Sequence, residues 1–202
     1  MTVAKGQAWG RPGPLAPDGV VVASDAEARA VVERARREGR PPPPIGLAGG
    51  DLCRTLGGTG DRARLAGDAA MTFPVDLGAA LVDGRLHWFV AHLVARDRGW
   101  HRVFVAMNAQ WLGSWNLGPR AHPGDGRLDT YTAELGLAQR LKVRRRLGLG
   151  AHLPHPGITE ERTAATQVAF DRPRPLWLDG VALGPVRALT IRVEPDALTV
   201  VV

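Results

Sequence analysis

Cysteine is almost absent from this chain: Cys53 stands alone among 202 residues, so no internal disulfide can form and no cysteine-based zinc cluster can be built. Lysine is nearly as scarce, with Lys5 and Lys142 the only two among 26 basic residues. Long apolar runs are missing as well. The most hydrophobic stretch, Leu86 to Ala95, is interrupted by His87 and His92, whereas a membrane-spanning helix needs about twenty apolar residues in succession. The opening stretch MTVAKGQAWGRPGPLAPDG lacks the charged-then-apolar layout of a secretory signal. Together these absences predict a cytoplasmic protein whose only membrane contact is peripheral, at the inner face.

What is present is ordinary for a folded domain. Apolar residues make up 45% and charged residues 23%, close to globular averages, and the length suits one domain or little more. The formal charge is +6. Heavy use of Arg, Ala, Gly and Pro together is what a GC-rich genome writes, so the basic excess is a weak sign of an anionic partner.

Residues 1–19 read as a loosely ordered, Gly- and Pro-rich arm. Val20 to Val22 is a short β-branched run, and Ser24-Asp25-Ala26-Glu27 has the Ser-x-x-Glu spacing of a capping box. A helix is predicted from there to about Glu38, stopped by Gly39 and Pro41 to Pro44. Ile45 to Ala48 reads as a buried strand. Gly49-Gly50-Asp51 then turns into a second predicted helix, Leu52 to about Leu65. A strand, a glycine turn and a helix start form a phosphate-friendly geometry, although two glycines before an Asp cap also make a plain tight turn.

From Met71 the texture becomes short β-type runs: Phe73 to Leu77, Leu86 to Val94, Arg102 to Ala106, Thr130 to Ala133, Gln167 to Phe170, Leu176 to Leu178, Leu189 to Val193 and Leu198 to Val202. Asp83-Gly84, Asp125-Gly126 and Asp179-Gly180 are turn signals. The fold class expected is α+β, mainly β: a reduced N-terminal α/β segment over residues 1–70, and an antiparallel, two-layer, sandwich-like β domain over residues 71–202. One helix, about Leu137 to Leu147, interrupts the strands and carries Arg140, Lys142, Arg144, Arg145 and Arg146. Such a face can meet phosphates or an anionic lipid surface, or can be solvated, with long Arg stems lying on the sheet beneath.

Other chemistry is thinly represented. His152 and His155 flank Pro154 and have no helical i,i+4 spacing for zinc. Neither Ser24 nor Ser114 sits in a Gly-x-Ser-x-Gly elbow, which argues against a serine hydrolase. Asp125 and Asp129 are the carboxylates closest to a metal pair, yet a turn role and a strand-edge role account for them. Trp88, Trp111, Trp115 and Trp177 fall in or beside strands, where packing is their expected task, and nucleic acid is disfavoured because no recognition motif accompanies the charge.

Several segments taken in order carry a resemblance. Asn108 ends a strand, and Gly124-Asp125-Gly126-Arg127-Leu128-Asp129 follows. Then come the basic helix, Gly150-Ala151-His152, Asp179-Gly180 and Glu194-Pro195-Asp196-Ala197-Leu198. Over roughly residues 72–202 this order resembles the diacylglycerol kinase and sphingoid-base kinase family. Upstream, Asp51, Arg54 and Gly57 fall on the Asp, Arg and Gly of that family's GTGNDFARTLG stretch, with Gly50 in place of its Asn. A rival register would make Gly49-Gly50-Asp51 the start of the nucleotide loop GGDGT.

The resemblance implies enzymes that phosphorylate a lipid hydroxyl with ATP and Mg. It also marks departures: no GGDGT stretch stands before Ile45, and the family's Asp-Gly-Glu turn reads Asp179-Gly180-Val181. The expectation is a lipid-kinase-like protein degenerate in phosphotransfer, needing no cofactor and acting as a lipid- or phospholipid-associated binding or regulatory module. The alternative is an active lipid kinase, using ATP and Mg, whose nucleotide site is atypical or supplied by a partner protein. Gly49, Gly50, Asp51 and Arg54 are the expected ligand-binding residues, the five cations of the basic helix the expected membrane contact, and Asp179 the single catalytic candidate.

Overall fold

Turn chemistry sets the boundaries of this fold. In the computed structural model, which describes residues 9–202, Asp83-Gly84 and Asp179-Gly180 each place both residues at positive φ (48° and 78°; 48° and 80°). This is the mirror-image turn whose twist matches paired strands, and each joins two long antiparallel neighbours.

The chain begins with β1 (Arg11–Pro12), β2 (Val20–Val22), α1 (Asp25–Arg37), β3 (Ile45–Leu47) and α2 (Asp51–Thr55). There follow β4 (Met71–Val82), β5 (Arg85–Phe89), β6 (His92–Arg96), β7 (Arg102–Met107), β8 (Trp111–Leu112) and β9 (Trp115–Asn116). The last elements are β10 (Leu128–Glu134), α3 (Leu137–Leu147), β11 (Ile158–Thr163), β12 (Ala165–Leu178) and β13 (Val181–Val201). One sheet runs β1-β4-β13-β12-β6-β7-β10-β11, with β5 on β4 and β3 on β13, while β8 and β9 make a separate hairpin. Pairing is antiparallel except for β2 with β3 and β3 with β13. This is the mainly β, sandwich-like architecture that the turn and strand signals predict. The sheet crosses residues 70–71 without a break, because β13 pairs with both β3 and β4.

Several predicted elements change shape. The run Leu86 to Val94 splits at Val90 and Ala91, whose amides point to the Asp179 carboxylate instead of a neighbouring strand. The last four predicted strands fuse into two, β12 and β13, with register shifts between Ala169 and Arg174 and between Glu194 and Leu198 where extra residues bend them. The helix expected to reach Leu65 ends at Thr55: Gly57, at φ 77°, turns the chain out, and only a short 3₁₀ turn, Ala63–Ala66, follows. The arm is better anchored than its composition predicts. β1 pairs with β4, and Trp9 donates to the Pro74 carbonyl at 3.0 Å; residues 1–8 of that arm lie outside the described part.

Burial alternates along β11 and much of β12 and β13, whereas β4, β6, β7 and β10 carry continuous buried runs. Val32, Leu47, Leu52, Val75 and Leu198 pack beneath α1. Leu93, Phe104, Leu128, Leu176 and Ile191 fill the middle. Val105, Tyr131, Leu135, Val143 and Leu147 pack under α3.

Candidate functional site

Four titratable side chains from separate elements meet where β2 and β3 end and β6 begins. Asp25 opens α1, Asp51 opens α2, His92 opens β6 and Asp179 fills the β12–β13 turn. Asp25, buried at 6% exposure, accepts the backbone amides of Asp51 at 2.6 Å and Leu52 at 3.1 Å. The first amides of α2 are thus capped by an acid from another element. His92 Nε2 lies 3.0 Å from Asp51 Oδ2, and both Asp51 oxygens accept the Gly113 amide at 3.0 Å. Asp179 accepts three amides in a row, from Val90, Ala91 and His92, at 2.9, 2.9 and 3.1 Å.

Crowding and desolvation decide the charges. Burial pushes Asp25 up to about 6, with the Asp179 carboxylate adding to the rise. Burial also raises Asp179, against the pull of His92 and its three amides. Burial works against ionised Asp51 too, but its hydrogen bond from His92 and the Gly113 amide bring it below the usual carboxylate range. His92 is raised: the Asp51 bond and the charges of Asp179, Asp51 and Asp25 outweigh its desolvation. Its Nδ1 makes no hydrogen bond among the described residues.

Gly49 and Gly50 bring the two turns together. A Cβ on Gly49 would stand 2.5 Å from the Ala23 carbonyl oxygen, and one on Gly50 would stand 2.6 Å from Asp25 Oδ1. The turn is therefore filled by the chain's own acid, and the amides of Asp51 and Leu52 face no solvent anion. Arg54 does not converge with them. Its guanidinium stacks 3.4 Å above Trp111 and donates to the Gly113 carbonyl at 3.0 Å, holding the β8–β9 hairpin against α2.

Asp125 and Asp129 are close together, and the Arg162 guanidinium sits between them, paired to Asp125 and 3.0 Å from Asp129. Burial raises Asp129 to about 6 even so. Asn108 is fully buried, and its side-chain amide donates at 2.8 Å to the carbonyls of Asp76 and Val90.

The basic helix covers a pocket. Between α3 and the face of β7 and β10 lies a space of about 240 Å³, lined by Val103, Val105, Tyr131, Ala133, Trp100 and Trp115, with Leu141 and Val143 from the helix. Arg140 and Arg144 also line it, while Lys142, Arg145 and Arg146 are exposed. Leu137 and Leu141 leave 66% and 52% of their surface open, beside these cations. His152 closes one side, and burial lowers its pKa. Two signals for this pocket were in the sequence, namely Leu137 and Leu141 on the same helix face as Arg140 and Arg144.

A mostly antiparallel sheet with this strand and turn order defines a β-sandwich-like domain. Residues 74–202 match the family described as the YegS C-terminal NAD kinase beta sandwich-like domain, and the chain belongs to that family. Solved structures of low identity share the fold. A putative diacylglycerol kinase from Bacillus anthracis str. Sterne superposes with a TM-score of 0.68 at 13% identity, over 91% of this chain and 77% of that one. A diacylglycerol kinase structure from the same organism gives 0.64 at 15%, over 91% and 75%. No curated protein matches the sequence.

Proposed function

We propose that this chain is a lipid-kinase-like protein that has kept the lipid-side pocket and lost phosphotransfer, and that it binds an anionic lipid at a membrane surface. The observation that carries this reading is the pocket under α3. It is apolar inside and bordered by Arg140 and Arg144, which suits a ligand with a hydrocarbon tail and a negatively charged head. The exposed leucines Leu137 and Leu141 beside the cations supply the amphipathic surface of an interfacial helix.

The nucleotide side supports the loss. β2, a turn and α1 form a strand–turn–helix unit of the kind that holds phosphate on free helix amides. Here its turn reads Ala23-Ser24-Asp25-Ala26-Glu27, and it caps itself: Ser24 Oγ accepts the Glu27 amide at 3.2 Å, and Glu27 Oε2 accepts the Ala23 amide at 2.8 Å. An acid therefore stands where a phosphate would bind. Val181 follows Asp179-Gly180 and can neither accept a proton nor hold a metal.

Vesicle co-sedimentation tests the reading. Phosphatidylcholine vesicles containing phosphatidic acid should retain the protein and quench Trp100 and Trp115, while pure phosphatidylcholine vesicles should not. Ala133→Phe, which fills the pocket, should abolish the quenching, and Arg140→Glu, Arg144→Glu and Arg145→Glu together should abolish sedimentation. Equal binding to both vesicle types, or transfer of phosphate from ATP to diacylglycerol by the wild-type chain, would overturn the proposal.

A further inference from the structure

We infer that the pocket under α3 holds one hydrocarbon chain of an anionic amphiphile, to a depth of about ten carbons, and has no place for a second. This limit rests on the lipid reading of the pocket and fixes how much of the lipid the protein can take. Volume sets it. The space measures about 240 Å³, below the about 300–1,000 Å³ of clefts that enclose larger ligands. An apolar cavity of about 150 Å³ takes up benzene, which is about 25 Å³ for each carbon. At that packing the pocket fills with about ten carbons. Shared between two chains it would hold about five carbons of each, leaving most of both tails in water.

The walls do not spread to admit more. Val103 and Val105 of β7 stand opposite Ala133 and Tyr131 of β10, and both strands are paired on each side within the sheet. This floor is therefore as rigid as the sheet itself. On the flank, Trp100 meets Trp115 edge-on at 5.3 Å and carries the Arg96 guanidinium 4.7 Å from its ring centre. Trp100 sits at φ 57°, which bulky residues rarely adopt. The turn that imposes this conformation is fixed by Asp97, whose carboxylate accepts the amides of His101 at 2.7 Å and Arg102 at 3.0 Å. Strain held this firmly belongs to a built wall.

The roof is tied down as well. Val143 and Leu147 are buried beneath α3, and Arg140 donates to the carbonyl of Gly99, which borders the pocket with it. Arg140 Nε is buried and makes no hydrogen bond among the described residues. With Arg144 it gives the border of the pocket a positive charge, so the chain that enters carries an anionic head.

A chain-length series tests the limit. Hexyl, octyl, decyl, dodecyl and tetradecyl phosphate are titrated into the full chain by calorimetry, each below its micelle concentration. Affinity should rise about fourfold per methylene, the equivalent of about 0.8 kcal/mol, and level off beyond about ten carbons. Ala133→Leu adds about three carbons to the floor and should move the break to about seven, whereas Val105→Ala removes about two and should move it to about twelve. Dioctanoyl phosphatidic acid should bind within about tenfold of octyl phosphate, since a housed second chain would separate them by about ten-thousandfold. A fourfold step that continues through tetradecyl phosphate, a break that stays in place in both folded variants, or a dioctanoyl lipid that gains its whole second chain overturns the single-chain limit and leaves the lipid reading standing. If no alkyl phosphate of any length binds, the lipid reading falls and the limit with it.

Discussion

Removing the Asp179 carboxylate separates a structural acid from a chemical one. Its two oxygens are the acceptors for the amides of Val90, Ala91 and His92, all buried. A hydrogen bond to a charged group is worth about 1.5–3 kcal/mol, and each orphaned buried amide costs about 1–3 kcal/mol. Three such losses bring about 3–9 kcal/mol. The carboxylate itself is held at a desolvation cost, visible in its raised pKa, and losing that cost offsets part of the sum. Asp179 also sits at φ 48°, which Asn tolerates and Ala does not. Asp179→Ala should therefore cost about 4–5 kcal/mol, a large share of the 5–15 kcal/mol that holds a domain together. Asp179→Asn should cost about half as much, because it keeps one acceptor oxygen and the turn conformation. Urea denaturation followed by tryptophan fluorescence reads this as a fall in midpoint at constant slope. If Asp179→Ala unfolds within about 1 kcal/mol of the wild type, the three-amide clamp is not what holds the β5–β6 junction, and the acid is free for chemistry.

Three further outcomes are expected. Ser24→Ala removes the side-chain cap of α1 and should cost about 1 kcal/mol, read as a lower thermal midpoint. Gly78→Ala places a Cβ 2.2 Å from the Phe89 ring, its partner across β4 and β5, and should cost about 1–3 kcal/mol in denaturant midpoint. Asp76 is fully buried and burial raises it from 3.8 to about 6, so the folded chain holds its proton to higher pH than the unfolded one. Stability linked to Asp76 is therefore present in full below pH 3.8 and lost as pH rises through about 6. The loss amounts to about 3 kcal/mol at about 1.4 kcal/mol per unit. Stability profiles of the wild type and Asp76→Asn should differ in slope over that window, and a carboxyl titration of Asp76 near 4 would refute it.

The sheet was legible because its information is local. Short β-type runs mark the strands, and Asp-Gly marks two tight hairpins at the positions where both residues take positive φ. The α1 cap was legible for the same reason. The acidic junction was not, because each member had a sufficient local explanation. Asp25 sits inside a capping box and reads as helix-start polarity, yet its carboxylate serves α2, 26 and 27 positions away. His92 reads as an interruption of an apolar run, and nothing in its neighbourhood announces Asp51. A polar residue in a strand whose other members are buried was the available signal. Arg162, which neutralises Asp125 and Asp129 together, lies in an exposed, charge-rich strand where one arginine looks like any other.

The 21-residue strand β13 is shared by three neighbours, β3, β4 and β12. Its place late in the chain sets the order of assembly during synthesis. A nascent polypeptide extended through β12 already holds the partners of β13 but leaves their hydrogen-bonding edges open, so β3 and β4 cannot be joined to β12. For that interval the apolar faces of all three are available to other chains, the condition under which partly made β proteins aggregate. Chains halted at the Asp179-Gly180 turn should consequently be recovered in the insoluble fraction and not as a stable half-molecule.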